Sequence, residues 1–298
     1  MRNTDSSPLL VVLALIAVQI LFGVNYIVSK IVVGAFHPLV WAFIRIAFST
    51  VMMAGIAMIS RRQHPPREKQ FFVPMILFAL LGCVINQASF LMGLKMTTPT
   101  NSAILNTLIP VFTLLIVTIR GQEPLTRMRI IGFVTALTGV LIIRKIEDFS
   151  FSDETAIGDL LTMVNCLSYA LFLSYGRPFM QKYDVIWSTA WMFGYGSIAM
   201  FGLAIPGLLT MNWPEMTSAL WGAAIFAVIG ATLMPYFLNS WALARANSSQ
   251  VAFYIYLQPV ITSGIAWAIS GEPPTMRTVL SCGVIFTGFF LATRKKAA

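Results

Sequence analysis

Long apolar runs alternate with short polar breaks from one end of the chain to the other. The runs cover 9–33, 38–60, 71–94, 101–119, 128–144, 157–180, 185–209, 219–242, 249–269 and 277–293. Most are close to the ~20 residues that a helix needs to cross roughly 30 Å of hydrocarbon. The breaks hold Gly, Pro or charge, as in Gly34 to Pro38, Gly121 to Thr126 and Gly271 to Thr275. Continuous runs, as opposed to ten-residue alternations, exclude a membrane barrel. Helices remain, because an open strand edge has no hydrogen-bond partner in lipid. The first run is longer than a signal-peptide core and lacks a small-x-small cleavage site, so it reads as a span. The pattern predicts an all-α integral membrane protein of ten transmembrane helices.

The spans repeat. A shift of 149 residues lays Pro110 on Pro259, Glu123 on Glu272, Pro124 on Pro273, Thr126 on Thr275 and Gly139 on Gly288. Each copy reads as an apolar helix interrupted by proline, an acidic turn, then a second apolar helix. A period of half the chain means one unit used twice. The expected division is a first five-helix repeat over 1–147, a periplasmic linker over 148–156, and a second repeat over 157–298. Five is odd, so the second copy enters the membrane upside down, and inverted repeats of this kind build alternating-access carriers.

Composition changes little and charge changes more. The chain is 57% hydrophobic and 10% charged, against roughly 25% charged in a soluble domain. The formal net charge of +9 would suit nucleic acid, but the basic residues lie between apolar runs, as membrane orientation requires. With the N-terminus inside, fourteen Lys and Arg fall on the cytoplasmic side and five (Lys30, Lys95, Arg144, Lys145 and Arg277) outside. Both termini are therefore expected in the cytoplasm, and no nucleic-acid partner is expected. Cys83, Cys166 and Cys282 show no metal spacing and read as small buried apolar residues.

Several spans carry one polar or aromatic stripe. The first has Gln19, Gly23, Tyr26 and Lys30; the third Asn86, Ser89, Phe90 and Gly93; the fourth Ser102, Asn106 and Thr113. The sixth has Asn165, Ser168, Tyr169 and Phe172; the eighth Tyr236, Asn239 and Ser240; the ninth Gln250, Tyr254 and Gln258. Polar side chains at depth face partners or water, so these six spans are expected around a central cavity. The second, fifth, seventh and tenth are expected to pack or face lipid. Two readings of the stripes stand: interhelical glue, or the lining of a site for a small, partly apolar solute. Pro110 and Pro259 sit mid-span at equivalent positions, as hinges or as static kinks. Lys30 and Arg45 are the cations closest to hydrocarbon. Lys30 is able to snorkel, whereas Arg45 is about 10 Å deep and serves either as an anchor or as a contact for a substrate anion.

What is missing also counts. All eleven acids fall in loops or at span ends, Asp159 at the start of span six, and both histidines are in loops. A proton relay through the bundle would need a carboxylate or histidine at depth, so that coupling is not expected unless Asp159 lies deeper. There is no metalloprotease motif, no carboxylate pair and no P-loop. No enzymatic activity, metal or cofactor is expected.

The turns Gly121-Gln122-Glu123-Pro124-Leu125-Thr126 and Gly271-Glu272-Pro273-Pro274-Thr275, each after a proline-broken helix, resemble those of the EamA-type family of the drug/metabolite transporter superfamily. Phe22-Gly23-Val24-Asn25-Tyr26 resembles that family's first-helix Trp-Gly-x-x-Phe pattern, with Phe22 where Trp is usual. Arg45 matches an arginine often seen in its second helix, and the first turn departs by the inserted Gln122. The resemblance covers nearly the whole chain and implies a ten-helix carrier of the cytoplasmic membrane, often an exporter of amino acids or other metabolites.

The reading is a secondary carrier in a bacterial inner membrane, moving a small organic solute of amino-acid type outward by alternating access. The expected contacts are Gln19, Tyr26, Asn86, Ser89, Asn106, Asn165, Tyr169, Tyr236, Asn239, Tyr254 and Gln258. Its partners are the solute and the bilayer, and a monomer suffices. The alternatives are a proton-coupled antiporter and a non-transporting scaffold.

Overall fold

The computed structural model describes residues 8–62, 65, 68–97, 99–143, 146–148, 155–270 and 275–293. Within them the regular structure is helical and falls into ten rods. These are α1 (Pro8–Ala35), α2 (Pro38–Ile59), α3 (Lys69–Met96), α4 (Pro99–Leu105 and Leu108–Ile119) and α5 (Arg127–Ile143). They continue as α6 (Ala156–Lys182), α7 (Val185–Thr210), α8 (Ser218–Leu243), α9 (Ser248–Phe253, then Tyr254–Leu257 and Gln258–Ser270) and α10 (Met276–Thr293). Six of them contain stretches long and apolar enough to cross a membrane, namely α1, α2, α3, α6, α7 and α8. The others are shorter, and for α4 and α9 the cause is a break inside the rod. Pro110 and Pro259 have no N–H to donate and crowd the turn before them. The helix accordingly opens at Asn106–Thr107 in α4 and tightens to a 3₁₀ turn at Tyr254–Leu257 in α9.

The ends have local causes. Asp184 begins α7 by accepting from the N–H groups of Ile186 and Trp187 at 3.0 and 3.2 Å. Thr217 caps α8 through the N–H of Leu220. These side chains satisfy donors that a helix N-terminus leaves open. After α4, Gly121 takes φ +63°, a left-handed conformation that costs glycine little and ends the helix. Apolar side chains cover the outside as well: Phe48, Val51, Ile59, Leu115, Ile119, Ile198 and Leu209 are all more than half exposed. A soluble protein does not display so continuous a coat. Cys83 and Cys166 are buried as expected, and Cys282 is only half-buried.

Helices of the first half pack mainly on helices of the second. α5 lies on α10, α2 on α7, α3 and α4 on α6, α1 on α8 and α9, and α4 on α9. Exchanging each rod for the one five places on maps this set of contacts onto itself. The α5–α10 contact is close because its residues are small. A Cβ added at Gly132, Gly139 or Gly288 would come within 3.0 Å of backbone across the seam. Small residues let helix backbones approach where lipid offers no hydrophobic drive. α3 and α8 share a further feature, since each loosens into a π-helical turn, Leu80–Ile85 and Ile229–Leu233, starting 149 residues apart.

Loop contacts join segments that the charge pattern puts on one side. Arg62 pairs with Asp184 at 3.8 Å, and Trp187 Nε1 donates to the Arg62 carbonyl. Glu123 pairs with Arg129 at 3.1 Å and accepts from Ser249. Arg277 pairs with Glu147, and the His37 N–H reaches Met211 Sδ.

Candidate functional site

Where the two halves meet, a chain of hydrogen bonds crosses the bundle. Arg45 Nη2 on α2 donates to Gln87 Oε1 on α3 at 2.6 Å, and Gln87 Nε2 donates to the Tyr236 oxygen on α8. The Tyr236 hydroxyl lies 2.8 Å from the Gly82 carbonyl and 3.0 Å from Asn86 Oδ1; its single proton serves one of them at a time. Asn86 Nδ2 donates to Asn165 Oδ1 on α6 at 2.6 Å, and Asn165 Nδ2 donates to Asn106 Oδ1 on α4 at 3.0 Å. Five helices are tied together this way.

Backbone irregularities position these groups. A π-helical turn leaves carbonyls out of register with the donors above them, which is why such turns sit at functional places. The α3 turn offers Leu81 O to Ser168 Oγ at 2.6 Å and Gly82 O to Tyr236. The break in α4 falls at Asn106 itself, four residues before Pro110. The two prolines, expected as hinges or kinks, thus mark real breaks in the helices.

Beside this chain lies a hollow of about 90 Å³, lined by Phe22 and Asn25 of α1, Arg45 of α2, and Asn86, Gln87 and Phe90 of α3. The lining continues with Asn106 and Ile109 of α4, Asn165 and Tyr169 of α6, Tyr236 of α8, and Ile255 and Gln258 of α9. Drug-sized ligands occupy pockets of roughly 300–1,000 Å³, so this conformation suits a much smaller solute. Arg45 is 2% exposed, and its Nε and Nη1 have no hydrogen-bond acceptor. No Asp or Glu belongs to the lining among the described residues.

Of the residues singled out from sequence, Asn86, Asn106, Asn165, Tyr169, Tyr236, Gln258 and Arg45 line the hollow. Gln19 is buried just outside it, accepting from Gln258 Nε2 at 2.9 Å. Asn239 is likewise one bond away, donating to the Tyr169 hydroxyl at 2.8 Å. Ser89 is buried but not in the lining, and Tyr254 packs edge-on against Phe289 of α10 at 4.9 Å. The side chains of Tyr26 and Lys30 lie outside the described residues. Gln87 and Asn25 were not singled out from sequence, and α2, a helix expected to pack or face lipid, enters the lining through Arg45. Gln87 is the residue 149 before Tyr236, so positions equivalent in the repeat touch each other.

One expectation needs correction. Three carboxylates among the described residues are buried: Asp159, Glu123 and Asp184, at 3%, 5% and 9% exposure. They do sit at span ends, but neighbouring elements fold over them. Glu123 has Arg129, and Asp184 has Arg62 and the start of α7. Asp159 has neutral partners: the hydroxyls of Thr97 and Thr155, and Asn101 Nδ2 at 3.1 and 3.3 Å.

Comparison with known proteins adds to this picture. The model of the EamA-like transporter family matches the chain twice, over residues 9–145 and 156–294. An uncharacterized transporter of Archaeoglobus fulgidus is 28% identical, with 95% of this chain and 97% of the relative covered. The uncharacterized transporter YyaM of Bacillus subtilis is 23% identical over 94% and 92%. A WAT1-related protein of Arabidopsis thaliana is 20% identical over 97% and 83%. Among solved structures, one crystal structure superposes with a TM-score of 0.78 at 15% identity, covering 95% of both chains.

Proposed function

The chain belongs to the EamA-like transporter family, and from that premise we propose a secondary carrier that binds a small organic metabolite in the central hollow. The halves 1–147 and 157–298, joined by 148–156, lie antiparallel and rock about the hollow to open it alternately to either side. The breaks at Pro110 and Pro259 give each half a place to bend. Both termini are cytoplasmic, the membrane is a bacterial inner membrane, and the cargo is a solute of amino-acid size carried outward. The double match of the family model and the exchange symmetry of the helix contacts support the repeat. The loop contacts fit the alternation of sides along the chain, and the distribution of Lys and Arg supports cytoplasmic termini.

The observation that carries the reading is the hollow itself. Both halves contribute amides, hydroxyls and rings to it, and the Gln87–Tyr236 bond joins equivalent positions across it. Residues that only glued helices together would not need a shared cavity. The test is uptake of a panel of small metabolites by proteoliposomes, with Asn86→Ala and Asn165→Ala beside the parent chain. Both variants should insert at the parent's abundance and lose most uptake. Full uptake in both would remove the hollow from the pathway.

A second reading, proton-coupled antiport, is favoured by Asp159. Its carboxylate is buried, has no Lys or Arg within salt-bridge distance among the described residues, and stands at the start of α6 facing the corner between α3 and α4. Lys95, the nearest cation along α3, is exposed. If Asp159 carries the coupling proton, an imposed pH gradient drives uptake in the parent and not in Asp159→Asn. Uptake indifferent to the gradient leaves facilitated diffusion.

A further inference from the structure

Resting on the carrier reading, we propose that the group recognised in the hollow is a carboxylate, held by Arg45, and that the solute is a short-chain organic monoanion without an ammonium group. Arg45 is almost wholly buried, yet of its three nitrogens only Nη2 has an acceptor, Gln87 Oε1 at 2.6 Å. An arginine serving as a static anchor is bonded all round, because a buried guanidinium left half-bonded is a cost to the fold. Arg45 is one of the residues that line the cavity, so its unbonded Nε and Nη1, shut off in this conformation, belong to a side chain that an entering solute would meet. Nη2 carries two hydrogens and Gln87 takes one. A fork therefore stays available, made by the second hydrogen with the N–H of Nε or of Nη1. That planar fork matches the two oxygens of a carboxylate.

The rest of the lining fixes the solute's other end. Beyond Arg45 it offers amides and hydroxyls, chiefly Asn86, Asn106 and Gln258, and apolar surface from Phe22, Phe90 and Ile255. With one cation and no acid in the described lining, a monoanion neutralises it. A zwitterion would bring an ammonium beside Arg45 with only amide oxygens to solvate it. At about 90 Å³ the hollow suits a short acid and not a drug-sized one.

Gln87 positions Arg45, and is itself fixed by Tyr236 of the other half. The anion site is therefore built at the contact between the halves, where relative movement of the halves would alter it.

The test uses the purified full chain in detergent, in chloride-free buffer, and follows its thermal unfolding midpoint against pyruvate, lactate, lactamide, pyruvamide, alanine and chloride. Ligands that bind only the folded state raise the midpoint saturably. The acids should do so at concentrations at least about tenfold lower than their amides or alanine, as loss of a charge-assisted bond predicts. Arg45→Gln keeps a donor for Gln87 and should lose the response, while its midpoint without anion equals or exceeds that of the parent. Arg45→Lys, should the first variant not fold, should keep part of the response. The proposal is overturned if amides or alanine act like the acids, if chloride acts like them, if Arg45→Gln keeps the preference, or if no probe shifts the midpoint. Vesicle uptake of pyruvate and alanine separates the two ideas. Uptake of alanine with no preference for the acid leaves the carrier and removes the anion site. Acid binding through Arg45 with no solute crossing does the reverse.

Discussion

The α5–α10 seam makes a quantitative prediction from one methyl group. A Cβ built on Gly288 stands 2.4 Å from the Ala136 nitrogen, 2.6 Å from the Gly132 oxygen and 2.8 Å from the Ala136 Cα. All three are backbone atoms, so no side chain can swing aside, and the helices must part by about 1 Å to reach ordinary contact distances near 3.5 Å. Forcing extra volume into a packed interface costs about 1–3 kcal/mol. Gly283, five residues earlier in the same helix, has nothing within 4 Å of its Cβ position. Both substitutions gain the ~1 kcal/mol of helix propensity that alanine has over glycine, so that gain cancels in their difference. Gly288→Ala should therefore fall about 1–3 kcal/mol below Gly283→Ala, with the parent between them or level with one. Gly139→Ala should share the sign, since its Cβ would meet the Ile285 nitrogen and the Ser281 oxygen at 3.0 Å. Unfolding of purified protein in detergent, followed by heat or denaturant, measures the order. If Gly288→Ala matches Gly283→Ala within about 0.5 kcal/mol, a gap below the range above, the close approach of α5 and α10 is wrong.

Other substitutions probe the network, a turn and a break. Tyr236→Phe strips partners from Gln87 Nε2 and the Gly82 carbonyl and should lower unfolding stability by about 1–2 kcal/mol; an unchanged midpoint would refute that bonding. Glu123→Ala removes both the ion pair with Arg129 and the acceptor for the Ser249 N–H near the start of α9, with an expected loss of about 1–2 kcal/mol by the same assay. Pro259→Ala restores a donor where α9 breaks; if bending there serves transport, uptake in vesicles should fall while thermal stability holds or rises, and unaltered uptake would make the break static.

The helices were largely legible because lipid imposes a length on each apolar run. The run at 38–60 became Pro38–Ile59, and that at 185–209 became Val185–Thr210. Pro110 and Pro259 also announced their breaks, since a missing N–H acts one turn upstream whatever surrounds it. The π-helical turns had no such signal, for Leu80–Ile85 and Ile229–Leu233 hold no residue that demands one. On α3 the helical period gave a polar stripe of which only part faces the hollow. Gly93 turned out to pack on α6, where its Cβ would meet Thr162 Oγ1 at 2.9 Å and the Gly158 carbonyl at 3.0 Å. Asn86 and Phe90 of the stripe do line the hollow, together with Gln87 beside them. Asp159 was misjudged because its burial comes from Thr97 and Asn101, about 60 residues away in sequence. No local pattern encodes which corner folds over a helix start.

The backbone repeats while the chemistry does not. Equal offsets relate the π-helical turns of α3 and α8 and the breaks of α4 and α9. At the hollow the same offset of 149 pairs Asn106 with Ile255, Ile109 with Gln258, and Gln87 with Tyr236. In each of the first two pairs a polar residue answers an apolar one. Ala35 and Lys182 end α1 and α6 at an offset of 147, and the same step from Arg45 reaches the buried Met192. Alternating access asks for two backbone arrangements of similar energy, and a repeated scaffold supplies them by exchanging the roles of its halves. A solute asks for something else, a single set of contacts that does not change identity as the halves exchange. For the anion proposed above, one guanidinium answered by a methionine would meet that requirement, because the cation is not duplicated and the two halves would not compete for the same anion. In the proposed carrier, the symmetry of the rods would govern the motion and the asymmetry of the side chains would govern what is carried.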